Sequence, residues 1–251
     1  MFLVNTYLRA SLFVYFLFYA NTLAIEFHDQ FHIWNVGQGQ WATYIDDNKC
    51  LHFDMGGETA PLISIKKICK HKKNSLFVSH SDWDHIRYIK WAKKNLPDLC
   101  LYALPIENTV NTKKRIMFTL PLCMDSHDQE VIELTPRLSL ANKANALSRI
   151  FLLKMRSGLV LIPGDSTMYA EKFWLKKLAP YRAKINYIVL GHHGSKTSTS
   201  QALIQNLPNL KIAFASARKK KYGHPHSTVI HRLQKRGVPV MSTEHWNHIK
   251  F

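Results

Sequence analysis

Four side chains of metal-binding type lie within one short segment of the sequence, at His80, Asp82, Asp84 and His85. The segment directly follows the apolar run 76–78, which predicts a short buried strand. Crowded carboxylates and imidazoles desolvate poorly and contribute little to a core, so a cation that organises them is the natural compensation. The segment therefore indicates a metal site at a strand end, in preference to a polar surface turn.

Further polar side chains follow apolar strands later in the chain. Asp165 ends Pro163-Gly-Asp165 after the run 159–162, and the pair His192-His193 follows the run 185–190. A carboxylate at a strand end can point into a cleft without being buried unpaired, and glycines beside the histidines allow close backbone approach to a ligand. Taken singly, these residues would also fit an ordinary turn aspartate and solvated or helix-capping histidines.

The elements that must position these residues follow from hydrophobic periodicity. Alternation predicts an opening β-meander, after which helices and strands alternate, an order that places helices on the outsides of sheets. The predicted strands are 27–35, 41–45, 50–53, 76–78, 148–154, 159–162, 185–190 and 211–215; the predicted helices are 60–72, 86–95, 169–178, 200–206 and 228–236.

The HxDxDH run at 80–85 resembles the metal-binding signature of the metallo-β-lactamase superfamily, in the variant found in the C-terminal domain of the ComEC DNA-uptake (competence) proteins. The resemblance covers about residues 30–245 and implies an α/β fold, an αββα sandwich, as a single hydrolase domain over residues 25–251. The matching segments, in the family's order, also include Asn35-Val-Gly-Gln-Gly39, Asp54-Met-Gly-Gly57, Pro163-Gly-Asp165, Gly191-His-His-Gly-Ser195 and Gly223-His-Pro-His226.

The resemblance implies a site for two divalent metal ions. His80 and Asp82 would bind one ion and Asp84 and His85 the other, Asp165 would bridge them, and one histidine of the 192–193 pair, His192 being favoured, would complete the set. Asp82 replaces the histidine of the more familiar pattern and adds an oxygen ligand, which favours manganese or magnesium more than a histidine would. Zinc stays a candidate because several imidazoles remain.

Two such ions suit phosphodiester hydrolysis, because they activate a shared hydroxide and stabilise the leaving oxygen. We expect Asp84 and His224 to be catalytic, with His224 protonating the leaving group or contacting the phosphate. Ser200 is expected to cap a helix. The residues assigned to substrate binding are His193, Ser195, Lys196, Lys219, Lys220 and His226.

The charge of the chain favours a polyanionic substrate. Its 34 Lys and Arg against 17 Asp and Glu give a formal net charge of +17, which suits nucleic acid, DNA in particular, and has no obvious use with a small β-lactam. Two alternatives stay open: an exported phosphodiesterase or phosphorylcholine esterase, which would be indifferent to polynucleotide length, and a non-catalytic polyanion-binding module, which would have lost its metal ligands.

The first 24 residues are typical of a signal peptide, with Arg9 before the apolar stretch 11–20 and small residues at 22–24. Export to the periplasm or medium is expected, with an uncleaved membrane anchor as the alternative. The four cysteines, in no metal-like spacing, could then form two disulfides in any of three pairings.

One departure from the family stands out: Ile86-Arg-Tyr88 replaces its usual glycine pair, which would narrow the cleft and affect the choice of substrate.

Overall fold

The structure is a computed structural model that describes residues 29–106, 114–124, 129–136 and 144–251. The predicted signal peptide and the beginning of the predicted strand 27–35 lie outside these ranges. Among the described residues, no helix has both the length and the apolar character needed to cross a membrane.

The first sheet begins with the predicted meander. Strands β1 (Gln30–Ile33), β2 (Ala42–Ile45) and β3 (Lys49–Phe53) are antiparallel neighbours. Strands β4 (Lys73–Phe77) and β5 (Cys100–Leu101) then continue the sheet in parallel with β3. Because β3 and β4 are parallel, their carboxyl ends lie at the same edge of the sheet.

The second sheet combines an antiparallel hairpin with parallel strands. Its order is β11-β10-β9-β8-β7-β6, with β8 to β11 parallel, while β12 (Ile249–Lys250) returns to pair with β1 of the first sheet. The strands are β6 (Val131–Glu133), β7 (Phe151–Met155), β8 (Gly158–Ile162), β9 (Ile185–Val189), β10 (Ile212–Ala215) and β11 (Val240–Ser242).

Helices cover the outer face of each sheet. Helices α1 to α3 pack on the first sheet, whereas α4, α5 and α7 pack on the second. The described helices are α1 (Leu62–Cys69), α2 (Trp83–Ile86), α3 (Ile89–Asn95), α4 (Met168–Trp174), α5 (Gln201–Gln205), α6 (Lys219–Tyr222), α7 (Ser227–Gln234) and α8 (Thr243–Trp246).

The core explains why the layers stack as helix, sheet, sheet, helix. Along β3, Leu51 and Phe53 face the second sheet, whereas Cys50, the residue before Leu51, faces α1, as the two-residue period of a strand requires. Phe53 and Phe151 meet across the two sheets with ring centroids 5.9 Å apart. The αββα sandwich expected from the sequence is confirmed.

The four cysteines form two disulfides, in each of which a cysteine is bonded to the next cysteine in the sequence. Cys50 in β3 joins Cys69 at the end of α1, and Cys100 in β5 joins Cys123. Of the three pairings that the sequence left open, the structure has this one.

Several predicted elements have different bounds. The predicted helix 86–95 is two helices, α2 and α3, separated at Arg87 and Tyr88. The strand predicted at 76–78 begins earlier, at Lys73, since its polar first residues pair with β3. Strands β11 and β12 and helices α6 and α8 were not predicted.

Candidate metal centre

The cluster of metal-binding side chains forms where parallel strands end. His80 follows β4, Asp165 follows β8, and His192 and His193 follow β9, so both sheets deliver their polar loops to the same edge. Asp82 is the residue before the first turn of α2, and Asp84 and His85 lie within that turn. The topology thus brings together side chains that are more than 100 residues apart in sequence.

A glycine permits the close packing of α2 against the β3 loop. A side-chain carbon added to Gly56 would lie only 2.0 Å from the carbonyl carbon of Asp84. The backbone N–H of Met55 donates to the carbonyl of His85 at 2.7 Å, which holds the two loops together. The Asp54-Met-Gly-Gly57 segment therefore sets the position of the 80–85 segment.

Asp165 lies at the centre of the cluster, and its two oxygens face different histidines. Oδ1 is 3.1 Å from Nε2 of His85 and 3.7 Å from Nε2 of His193. Oδ2 is 3.5 Å from Nε2 of His192 and 3.9 Å from Nε2 of His80. Asp165 is therefore arranged to bridge two neighbouring positions.

The two remaining aspartates each join one side of this arrangement. Asp82 Oδ2 lies 3.4 Å from Nε2 of His80, and Asp84 Oδ2 lies 3.3 Å from Nε2 of His193. One half of the cluster thus contains His80, Asp82 and His192, the other contains Asp84, His85 and His193, and Asp165 belongs to both.

The donor atoms of this cluster fit divalent metal ions. The Nε2 atoms of His80, His85 and His193 and Oδ1 of Asp165 are buried without a hydrogen bond of acceptable geometry, which is costly unless a cation satisfies them. Two overlapping sets have their ligand atoms within 4.8 Å of one another: His80, His85 and Asp165, and Asp84, His85 and His193. Nitrogen and carboxylate oxygen together suit zinc and manganese.

Electrostatics within the cluster are strongly coupled. Burial alone would lower the pKa of His85, but the carboxylates of Asp165 and Asp54 outweigh burial and raise that pKa well above its usual value. Burial alone would raise the pKa of Asp165, but the neighbouring His85 and His193 hold it well below the usual range. The cluster thus keeps its central carboxylate ionised and ready to bind a cation.

No protein-family model matches the chain. Recombination protein 2 of Haemophilus influenzae is 26% identical over 220 residues, which cover 83% of this chain and 27% of that protein. Competence protein ComA of Neisseria gonorrhoeae is 24% identical over 218 residues, 84% of this chain and 30% of that protein. The chain therefore spans less than a third of the length of these relatives.

Solved structures of low sequence identity share the architecture. Tm1679, a metal-dependent hydrolase of the β-lactamase superfamily, matches with TM-score 0.56 and 12% identity over 89% of this chain and 98% of its own. YhfI from Bacillus subtilis, a metallo-β-lactamase fold protein, matches with TM-score 0.52 and 12% identity over 89% and 99%. A diphosphatase of the PhnP family has the same TM-score, 0.52, and identity, 12%, over 89% and 97%.

This chain has the metallo-β-lactamase fold. The fold expected from the HxDxDH resemblance is thereby confirmed. The relatives, one of them a competence protein by name, agree with the likeness to the ComEC domain.

Within this metallo-β-lactamase fold, both histidines of the 192–193 pair face the cluster. The sequence assigned His192 to the metal and His193 to the substrate, whereas the structure buries His193 to 2% exposure with its Nε2 beside Asp84 and Asp165. Both residues have left-handed backbones, with φ of 50° and 55°. That turn lets two consecutive side chains reach the same carboxylate, an arrangement that no sequence period indicates.

Two groups that orient the ligands were not assigned a role from the sequence. Asp54 accepts a hydrogen bond from Nδ1 of His85 at 2.7 Å, and the carbonyl of Ser216 accepts one from Nδ1 of His193 at 3.1 Å. Each contact leaves the Nε2 lone pair directed at the cluster. Asp54 lies in one of the segments matched to the family, and its position after β3 was the available signal.

His224 lies at the opening of the cluster and is oriented by Gln38. The backbone N–H of Arg218 donates to Gln38 Oε1 at 3.3 Å, so the Gln38 amide nitrogen donates to Nδ1 of His224 at 3.2 Å. That assignment leaves the His224 proton on Nε2. Burial, with His193 and His192 nearby, lowers the pKa of His224 to about 4, so the ring is neutral near pH 7.

The residues assigned to the substrate are placed in different ways. Ser195 is buried and its hydroxyl contacts that of Thr197 at 2.9 Å, so it closes a turn instead of facing a ligand. The Nδ1 atom of His226 accepts a hydrogen bond from the backbone N–H of Thr228, so His226 caps the start of α7. Lys196, Lys219 and Lys220 are exposed and available.

The helix-capping role expected of Ser200 is confirmed, since its hydroxyl accepts a hydrogen bond from the backbone N–H of Leu203 at 3.1 Å.

Proposed function

We propose that this chain is a metal-dependent phosphodiester hydrolase that acts on nucleic acid, with DNA as the preferred candidate. The observation that carries the proposal is the division of the cluster into two halves that share Asp165. A pair of divalent ions held there would supply an activated water and neutralise the charge of a phosphate. The presence of a diphosphatase among proteins of this fold is compatible with that chemistry.

The residues proposed to hold the ions are those of the cluster. His80, Asp82 and His192 would hold one ion, while Asp84, His85 and His193 would hold the other. Asp165 would contact both. This extends the ligand set expected from the sequence by His193.

Side chains around the cluster would bind and orient the substrate. His224, at the opening of the cluster, carries its proton on Nε2 and is neutral. Its Nε2–H could therefore donate a hydrogen bond to a phosphate oxygen or to the leaving oxygen. Lys219 and Lys220 are exposed on α6 just before His224 in the chain and would attract the polyanion. Because the chain carries all of these groups, we favour an enzyme over a binding module.

We also propose that the chain is exported. The composition of residues 1–24 supports this proposal, and so do the two disulfides, since such bonds persist mainly in oxidising compartments. Export would place the hydrolase where extracellular nucleic acid occurs.

The test is digestion of labelled single-stranded and double-stranded DNA by the purified full chain with manganese, magnesium or zinc. We expect metal-dependent cleavage that Asp84→Ala reduces by at least about a hundredfold, because the cluster loses one ligand. Asp47→Ala is the matched control, since this exposed carboxylate lies in the β2–β3 turn, at the other end of β3 from the cluster. Absence of cleavage of DNA and RNA by metal-loaded protein would refute the nuclease.

A further inference from the structure

The segment that replaces the family's glycine pair does not simply narrow the cleft. Arg87 lies between two aromatic rings, with its guanidinium carbon 5.9 Å from the ring centre of Trp83 and 5.5 Å from that of Tyr88. Its Nη1 donates to the carbonyls of Gly57 at 3.3 Å and Glu58 at 3.1 Å. Arg87 is thus anchored to the β3 loop and supports the indole of Trp83.

Trp83 is exposed although its neighbours in the chain belong to the cluster. It is the first residue of α2, between Asp82 and Asp84, and 48% of its surface is accessible. A ring of this size beside the cluster is therefore open to stacking by a ligand.

A second aromatic ring with the same kind of support lies on α6. Tyr222 is 39% exposed, and Nζ of Lys221 lies 5.0 Å from its ring centre. The Tyr222 hydroxyl donates to Oε1 of Glu58 at 2.9 Å. Each ring therefore has a cation beside it, and the Tyr222 ring is also held by the hydrogen bond of its hydroxyl.

Glu58 connects the two rings. Its carbonyl accepts from Arg87, while its carboxylate accepts from Arg218 at 2.9 Å, Lys221 at 2.7 Å and Tyr222. Burial alone would raise the pKa of Glu58, but these donors lower it to about 2, so the carboxylate stays ionised. One residue of the β3 loop thus holds α2 and α6 on the same side of the cluster.

We propose that Trp83 and Tyr222 form an aromatic rim on which unpaired nucleobases stack while the adjoining phosphate enters the metal cluster. The proposal rests on the proposed nuclease function and names its substrate class, single-stranded nucleic acid. Bases in a duplex are already stacked on each other, so only unpaired bases offer their faces to such a rim. Arg87, Lys219 and Lys220 add positive charge beside the rings for the backbone.

The charges at the rim argue against choline phosphate esters. A quaternary ammonium group binds an aromatic face by cation–π attraction, but here Arg87 and Lys221 already lie against the rings of Trp83 and Tyr222. At the Trp83 ring a second cation would be repelled by Arg87, whereas a neutral base carrying a phosphate would be attracted. The rim therefore favours nucleotides over choline esters.

The experiment measures binding of the metal-loaded full chain to fluorescent phosphorothioate strands, which resist cleavage. One strand is a short oligothymidylate, and the other has the same length with abasic residues in place of the bases. We expect the base-bearing strand to bind about tenfold more tightly, the effect of a stacked base. Trp83→Ala should reduce that difference to about twofold, and Trp83→Phe should restore part of it.

Phe118→Ala is the matched control, because this exposed aromatic residue lies far along the chain from the cluster segments, beside the end of α3. It should keep the full difference between the strands. Equal binding of both strands by the wild type, or an undiminished difference in Trp83→Ala, would overturn the rim. Competition by glycerophosphocholine that Trp83→Ala abolishes would also overturn it. Failure of the nuclease itself would be distinct, since the strands would still be discriminated without any hydrolysis.

Discussion

Asp54 sets the chemistry of the cluster without facing a metal position. It is fully buried, and besides His85 it accepts hydrogen bonds from the backbone and hydroxyl of Ser79 at 2.7 and 2.8 Å and from Gln40 at 2.8 Å. Four donors fix the position of this carboxylate. Its negative charge, together with Asp165, explains the high proton affinity of His85.

This coupling predicts proton release when metal binds. Near pH 6.5 the metal-free His85 carries a proton, because its pKa lies well above that value, and a metal needs the free Nε2 lone pair. Metal binding should therefore release about one proton from His85 and should strengthen as pH rises through the raised pKa. Asp54→Asn removes one of the two charges that raise the pKa, so it should release fewer protons and bind metal about tenfold more weakly.

Calorimetric titration in buffers of different ionisation enthalpy measures this release. Asp47→Asn, an exposed carboxylate in the β2–β3 turn, should behave as the wild type. Heats that do not depend on the buffer would contradict the assigned protonation of His85. Thermal unfolding of each variant checks that the fold is intact.

For single residues of the cluster, the sequence indicated the residue types better than it indicated the orientation of their side chains. The candidate ligands at 80–85 and Asp165, which the structure brings together, were proposed because they follow strands and fit the family pattern. The position of His193 and the turn around Ser195 depend on left-handed backbone at 192, 193 and 199, which side-chain patterns do not specify. His226 was assigned to the substrate because it lies in the segment Gly223-His-Pro-His226 matched to the family, whereas its ring caps α7.

Among the elements, α6 depends on residues from distant parts of the chain. Three consecutive lysines repel one another and do not favour an isolated four-residue helix. Glu244 accepts the backbone N–H of Lys219 at 2.8 Å, and Glu58 neutralises Lys221. The helix could not be predicted, because both carboxylates reach it only through the tertiary fold. The strands were predicted better, since their apolar faces are local features.

The disulfides stabilise the layer that carries the 80–85 segment. The Cys50–Cys69 disulfide joins α1 to β3 across a sequence separation of 19 residues. The Cys100–Cys123 disulfide spans a sequence separation of 23 residues. Each should raise the free energy of unfolding by about 3 kcal/mol by restricting the unfolded chain. The double variant Cys50→Ala/Cys69→Ala should lose that amount in denaturant titrations.

Addition of reductant to the wild type provides the comparison, and should lower stability at least as much as removal of one bridge. Cys100→Ala/Cys123→Ala tests the second bridge separately. An unfolding midpoint that neither reductant nor substitution changes would mean that the bridges contribute nothing to stability.

One long stretch of the chain carries basic side chains and no acidic ones. No Asp or Glu occurs from residue 172 to residue 243, a stretch that includes α6 and the 191–195 loop. Asp29, Asp46, Asp47 and Glu130 line one groove at the end where β3 and β8 begin, together with Lys154 and Arg156. The basic side chains of the 172–243 stretch, those of α6 included, would therefore attract a polyanion.

Polyanion binding should weaken steeply with salt, because each phosphate neutralised by a cation releases counterions. Lys219→Ser/Lys220→Ser should reduce the slope of log K against log salt by about 1.4 for a single strand, at about 0.7 for each contact. Lys235→Ser/Arg236→Ser removes the same net charge beyond the far end of α7. If binding depended on net charge alone, both variants would lose the same slope; a larger loss in the α6 variant would locate the backbone path beside the cluster.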